Sequence, residues 1–260
     1  MNEYLKVTRN GQILEIVLDR PKANAINAPL SQDMGKLFAE FRDDPGLRVA
    51  ILTGAGEKFF SSGWDLHGAS GDEGYLDYFG EGGFAGFTEM PDLLKPVICA
   101  VNGLAVGAGF EMLLRADFVI AAEHAEFLLP EVRLGIAPDV ATFMLPKLLP
   151  RQKALEILLT GRRQNARDLA SFGLINEVVP AAELMERARD LARDLLRASP
   201  LSLPAIKEAV HLTENLSYEE CFASLRSQSW PAFMKMLESS DSKEGARAFL
   251  EKREPVWKGE

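Results

Sequence analysis

The strongest constraint in this sequence is an apolar strand that passes into a helix through closely spaced glycines. Val97–Val101 follows Pro96 and has the length and composition of a buried strand. Gly103, Gly107 and Gly109 come next, so the backbone approaches something closely there. From Ala108 the text is helical, with Phe110, Met112, Leu113 and Leu114, and with Glu111 in the first turn. A helix start carries N–H donors without intrahelical partners and the positive end of the helix dipole. Aimed at a carbonyl on its way to an enolate, those donors form an oxyanion hole. A second carboxylate, Glu131, lies in a loop between Pro130 and Gly135, and only the fold can bring it to Glu111. The same residues admit a plainer reading, with Glu111 as a dipole partner, Glu131 as a solvated loop acid and the glycines as a turn. Spacing alone leaves both open.

The chain is long enough, at 260 residues with 47% apolar content, for one large domain with a substantial core. No apolar run reaches about 18 residues, so no membrane span is expected. The N-terminus alternates apolar and polar residues and reads as strand, not as a signal peptide. Two cysteines, Cys99 and Cys221, give neither a disulfide framework nor metal spacing, and a reducing, cytoplasmic setting is the simplest expectation. His67, His124 and His211 are the three histidines, and none has a zinc-ligand spacing. A net charge of -9 argues against nucleic acid as a partner while leaving room for an anionic small ligand.

In chain order, residues 1–20 predict two strands joined at Asn10-Gly11. Residues 19–27 form a loop of small residues, and 28–42 an amphipathic helix with Pro29 in its first turn. A strand over 49–53 makes a strand–helix–strand crossover, hence a helix-covered sheet. The stretch from His67 to Gly86 is rich in glycine and acid and carries Tyr75, Tyr78, Phe79 and Phe84, as a lid or binding loop would. Helices are predicted over 152–159, 166–172 and 182–198, with a strand over 175–179. Beyond a boundary near Pro200 the chain reads as helical over 203–214, 218–239 and 242–250. The expected division is a catalytic core over 1–199 and a helical oligomerisation region over 200–260.

Blocks covering nearly the whole length resemble the enoyl-CoA hydratase (crotonase) superfamily: DRPKANAIN, VAILTGAGEKFFSSGWDL, KPVICAVNGLAVGAGFEMLLRADFVIAAEHAEFLLPEVRLGIAPD, LTGRRQNARDLASFGLINEVV and FLEKREPVWKG. FRDDPGLRVAILTGAGEKFFSSGWDL, GGFAGFTE and EKREPVWKG resemble most its carnitinyl-CoA dehydratase branch. The resemblance implies an α/β fold, a crotonase-like spiral of strand–strand–helix repeats with a C-terminal helical trimerisation region, assembled as a homotrimer or hexamer.

It also implies a reaction. Water adds reversibly to a 2-enoyl-CoA thioester, and the substrate range includes crotonobetainyl-CoA. The backbone N–H groups of Trp64 and Ala108 would hold the thioester oxygen, each contributing about 3 kcal/mol. Glu111 would activate the water and Glu131 exchange the C2 proton. No metal or redox cofactor is implied, since coenzyme A is part of the substrate. For that substrate the resemblance assigns Lys22, Ala23 and Ala25 to the nucleotide side and the Ser62 carbonyl to the adenine amino group. Asp65 and Leu66 flank the pantetheine channel, and Phe249 and Lys252 reach it from a neighbouring subunit. The Trp64 indole has two readings, facing a trimethylammonium group, worth about 0.5–2 kcal/mol, or packing within its own loop.

The chain departs from the family pattern at two places. Ala108 stands where glycine is common, and its N–H is retained if its φ is negative. Residues 138–144, PDVATFM, lack a Gly-Gly pair and an Arg and are one residue shorter, which bears on acyl specificity. Competing readings are an enoyl-CoA isomerase, which needs one base and no water, and a non-catalytic acyl-CoA-binding or RNA-binding relative.

Overall fold

The computed structural model describes residues 3–65 and 79–260. Its first unit is a hairpin of β1 (Leu5–Asn10) and β2 (Ile13–Leu18). Asn10 pairs with Ile13, so the two loop residues are Gly11 and Gln12, one position later than Asn10-Gly11. Gly11, at φ +60°, takes the first loop position, where a hairpin turn needs a positive φ. Asn27 then caps α1 (Ala28–Asp43) by accepting the Leu30 N–H.

From there the chain repeats one unit. β3 (Val49–Gly54) leads to β4 (Phe59–Ser61); β5 (Val97–Val101) to β6 (Leu104–Val106) and α2 (Ala108–Arg115); β7 (Phe118–Ala122) to β8 (Glu126–Leu128). After β8 come α3 (Val140–Leu148), α4 (Arg151–Thr160), β9 (Gln164–Asn165), α5 (Ala166–Ser171) and β10 (Glu177–Val179). The first strand of each pair joins a six-stranded sheet in the order β1-β2-β3-β5-β7-β10, and the second joins a four-stranded sheet, β4-β6-β8-β9. The pairings β3–β5, β5–β7, β4–β6 and β6–β8 are parallel, as a one-handed spiral requires, and β9 closes the smaller sheet antiparallel to β8. This is the crotonase-like spiral that the motifs imply.

The central strands β3, β5 and β7 of the larger sheet are buried on both faces, which explains why they read as unbroken apolar runs, whereas the edge strand β1 is largely exposed. Val49, Ile51, Ile98, Ala100, Ile120 and Ala122 face α6 (Leu184–Leu196), which presents Leu184, Ala188 and Ala192 at helical spacing. The alternate residues, among them Ala50, Leu52, Cys99, Val101, Val119 and Ala121, face the main core with α1 and α2. Cys99 is therefore buried packing, and burial pushes its thiol far above the usual range.

The C-terminal part is helical: α7 (Ser202–Thr213), α8 (Tyr218–Arg226), α9 (Pro231–Glu238) and α10 (Asp241–Glu251). The single helix expected over 218–239 is two. Gln228 adopts φ +55°, and a new helix starts at Pro231, where the buried Glu208 carboxylate accepts the Ala232 and Phe233 N–H groups at 3.1 and 2.8 Å. A carboxylate from a neighbouring helix thus does the work of an N-cap. Among the described residues no helix is long and apolar enough to cross a membrane.

Candidate active site

The site grows from the start of α2. Gly107, at φ +54°, turns the chain from β6 into the helix, and no side chain caps that helix. The Phe110 and Glu111 N–H groups both reach the Gly107 carbonyl, which leaves the first N–H of the helix, that of Ala108, outside the intrahelical ladder. Ala108 does not have a positive φ, so alanine is accommodated in place of glycine and the donor is kept.

Two glycines let other segments close on this helix start. A Cβ at Gly109 would lie 2.3 Å from the Ser61 carbonyl oxygen, so only glycine lets α2 press against β4. A Cβ at Gly63 would lie 3.0 Å from the Ala108 nitrogen, which places the backbone entering Trp64 directly against the helix start. The 61–65 segment is zipped to the 19–27 loop: Ser62 N–H donates to the Ala23 carbonyl, Ile26 N–H to Gly63, and Asp65 N–H to Ile26, all within 2.9 Å. Arg20 spans the same two segments, donating to the Ala25 carbonyl at 2.9 Å and to Asp65 at 2.6 Å. Asn24, buried and at φ +52°, donates to the carbonyls of Ala55, Phe59 and Phe60.

A cavity of about 130 Å³ opens in front of the helix, lined by Ser62, Trp64, Val106, Ala108, both Glu111 and Glu131, and Asp139. The fold therefore brings the two glutamates to one cavity. Glu111 is 5% exposed, and its Oε1 accepts the Ala141 N–H at 2.9 Å. Its pKa is pushed up to about 8, first by burial and then by the negative charge of Asp139, with a smaller contribution from Glu131. Glu131 sits in a short 3-10 turn, Glu131–Arg133. Burial raises its pKa, its own backbone N–H opposes the rise, and Asp139 adds to it. Its Oε2 is buried without a hydrogen-bond partner, and its Oε1 occupies the space that a Cβ on Gly107 would fill.

The far wall is aromatic. Trp64 and Phe79 meet edge to face at 6.4 Å, and Phe79 and Phe84 at 5.2 Å. This wall is anchored to α1, where the Ser31 hydroxyl donates to the Phe79 and Gly83 carbonyls.

Of the residues singled out from sequence, Trp64, Ala108, Glu111, Glu131 and Ser62 converge on the cavity, and Lys22, Ala23, Ala25 and Asp65 lie in the two zipped segments beside it. Leu66, His67, Tyr75 and Tyr78 lie outside the described residues. Phe249 is 83% exposed on α10, and Lys252 ends that helix at φ +55°; neither lines the cavity. Sequence reasoning missed Asp139 as a site residue, although it lies in the segment that departs from the family pattern. It missed Asn24 too, whose loop reads only as a run of small residues. Among the described residues no cluster of three or more His, Cys, Asp or Glu is set to hold a metal ion.

The family model described as enoyl-CoA hydratase/isomerase matches residues 8–260. The chain is 54% identical to the carnitinyl-CoA dehydratase of Salmonella arizonae and 53% identical to that of Escherichia coli K12, over all of both chains in each case. It also superposes on a crystal structure of enoyl-CoA hydratase from Mycobacterium tuberculosis with a TM-score of 0.90 at 34% identity, covering both chains fully. With two glutamates and a helix start set around one cavity, on this fold and with these relatives, the chain belongs to the enoyl-CoA hydratase/isomerase family.

Proposed function

We propose that the protein is a hydro-lyase that interconverts carnitinyl-CoA with crotonobetainyl-CoA and water. The observation that carries this reading is the pair Glu111 and Glu131 on one cavity beside an uncapped helix start. In the dehydration direction the thioester oxygen accepts the N–H groups of Ala108 and Trp64. Glu131 takes the C2 proton, and the C2–H electron pair passes into the thioester as an enolate. The enolate returns that pair to form C2=C3 while the C3–O bond breaks, and Glu111 gives its proton to the departing hydroxyl, which leaves as water. Hydration is the reverse.

Burial raises the pKa of both carboxyls, that of Glu111 to about 8, which favours a pair that still holds a proton; the chemistry above uses it on Glu111 with Glu131 ionised. That is the arrangement dehydration starts from. The two share one proton over the cycle, so their titrations belong to the pair.

In this reading Lys22, Ala23, Ala25, Ser62 and Asp65 carry the coenzyme A end. Phe249 and Lys252, exposed on this chain, meet the acyl-CoA of an adjacent protomer, and residues 200–260 form the oligomerisation region. Exposed Ile206, Val210, Tyr218 and Phe222 in that region support the last assignment, because apolar helix faces need a cover.

The test follows the enoyl absorbance of crotonobetainyl-CoA and, separately, crotonyl-CoA on adding the purified protein. Faster loss with crotonobetainyl-CoA is the expected result. Turnover of crotonyl-CoA alone would make it a general short-chain hydratase, and turnover of neither would overturn the hydro-lyase reading for these substrates.

A further inference from the structure

We infer that Asp139 is the specificity-determining residue that selects an acyl chain with a positive charge beside the reacting carbon. This rests on the reading of the cavity as an acyl-CoA site. Water addition at C3 uses only Glu111, Glu131 and the oxyanion donors. Asp139 is a third acidic side chain on the same cavity. Its place is fixed, because it caps α3, where its carboxylate accepts the Val140 N–H, and it lines the same cavity as Glu111, whose pKa its negative charge helps to raise.

Among the described residues that line the cavity there is no lysine, arginine or histidine. The remaining acyl-side wall is Trp64, Phe79, Phe84, Leu134, Ile136 and Pro138. One Glu131 oxygen is buried there without a partner. Such a cavity holds negative charge that only backbone N–H groups and helix starts offset, with no cationic side chain among its described lining residues, in surroundings where charge interactions are strong.

The chemistry of the acyl chain supplies that balance. In a carnitine-type chain a single methylene separates C3 from the trimethylammonium nitrogen. With the C3 hydroxyl at Glu111, the cation falls beside the group next to Glu111, which is Asp139. A quaternary ammonium has no N–H to donate, so it is held by charge and by aromatic rings, and this cavity offers both. A neutral chain of the same length brings no positive charge to Asp139.

The experiment compares binding of two unreactive saturated thioesters, 4-(trimethylammonio)butyryl-CoA and butyryl-CoA, to the wild type and to Asp139→Asn by calorimetry at fixed salt. Asparagine is as good an N-cap as aspartate, so α3 keeps its start. The wild type is expected to prefer the cationic thioester by tenfold or more. Asp139→Asn is expected to lose that preference, mostly by weaker binding of the cationic ligand, by about tenfold to a hundredfold. Equal weakening of both ligands would mean that Asp139 only supports the cavity, and no change in either would mean that it does not face the acyl chain; either result overturns the inference. Turnover of crotonobetainyl-CoA by the wild type is measured separately, so failure of the hydro-lyase reading is told apart from failure of this one.

Discussion

Glu111 Oε1 accepts the backbone N–H of Ala141 at 2.9 Å, joining the first turn of α2 to the first turn of α3. An N–H donor pairs with the unprotonated oxygen of a carboxyl group, so the Glu111 proton resides on Oε2. The bond comes from backbone, and any residue but proline supplies it. The Val140-Ala141 sequence, where the family pattern has a glycine pair, therefore keeps the donor that orients Glu111.

The first prediction concerns stability against pH. Burial raises Glu111 from the ordinary 4.5 to about 8, so between these values the folded chain holds a proton that the unfolded chain has released. Stability contributed by this group is full below pH 4.5 and is lost as pH rises toward about 8. Glu111→Gln cannot ionise and should remove that slope, gaining on the wild type by roughly 2–4 kcal/mol at pH 8 relative to pH 5. Urea denaturation of both proteins at the two pH values reads the difference directly. Parallel pH dependences would show that Glu111 is not the buried acid described.

The same carboxyl sets the rate profile. Dehydration needs protonated Glu111 with ionised Glu131, and hydration needs the proton on the other partner, so both directions use the singly protonated pair. Activity in both directions should fall above about pH 8, tending to tenfold per pH unit as the shared proton is lost. Glu111→Gln should lower kcat by about 10²–10⁴ while still binding acyl-CoA. Initial rates across the pH range, together with calorimetric titration of the variant, check both statements.

Much of this was legible from sequence because the physics there is local. Val49–Gly54 and Val97–Val101 are buried on both faces and so cannot hide as amphipathic segments. The glycines at 107 and 109 mark close approaches that the fold then makes, to Glu131 and to Ser61. What was not legible depends on distant partners. The break at Gln228 has no glycine to announce it, and the helix after it is capped by Glu208 from α7. Asp139 reads only as part of the segment that departs from the family pattern until the fold sets it on one cavity with Glu111, and Phe79 and Phe84 read as loop aromatics until Ser31 anchors their segment to α1.

The C-terminal helices are tied to the sheet by Lys207 of α7. Its Nζ donates to Asp117 Oδ2 at 2.8 Å and to the Leu93 and Lys95 carbonyls at 2.8 and 3.1 Å, while Asp117 also accepts the Val97 N–H. Burial lowers the Lys207 pKa, and Asp117 counters that by stabilising the charge. Asp117→Ala leaves a largely buried ammonium without its counter-charge and should destabilise the fold by about 3 kcal/mol. Removing both partners in Asp117→Ala/Lys207→Met should cost less than the sum of the single changes. Chemical denaturation of the four proteins gives the coupling, and simple additivity would show the pair to be incidental.

Gly107 separates geometry from stability at the site. A methyl there would lie 2.6 Å from Glu131 Oε1, and the residue stands at φ +54°. With ψ at -126° this is not the left-handed helical region but one that glycine alone adopts readily, so alanine there costs about 1–3 kcal/mol, which a domain of this size survives. The contact with Glu131 is the larger effect on function, because the methyl displaces the carboxylate that must reach C2, and small misplacements of a reacting group cost about a hundredfold in rate. Gly107→Ala should therefore fold, bind acyl-CoA and lose about 10²-fold in kcat with KM little changed. Exchange of the C2 hydrogens of a bound saturated acyl-CoA with deuterated water isolates the Glu131 step from the Glu111 step. That exchange should fall in parallel with kcat; exchange at the wild-type rate would place the damage elsewhere than at Glu131.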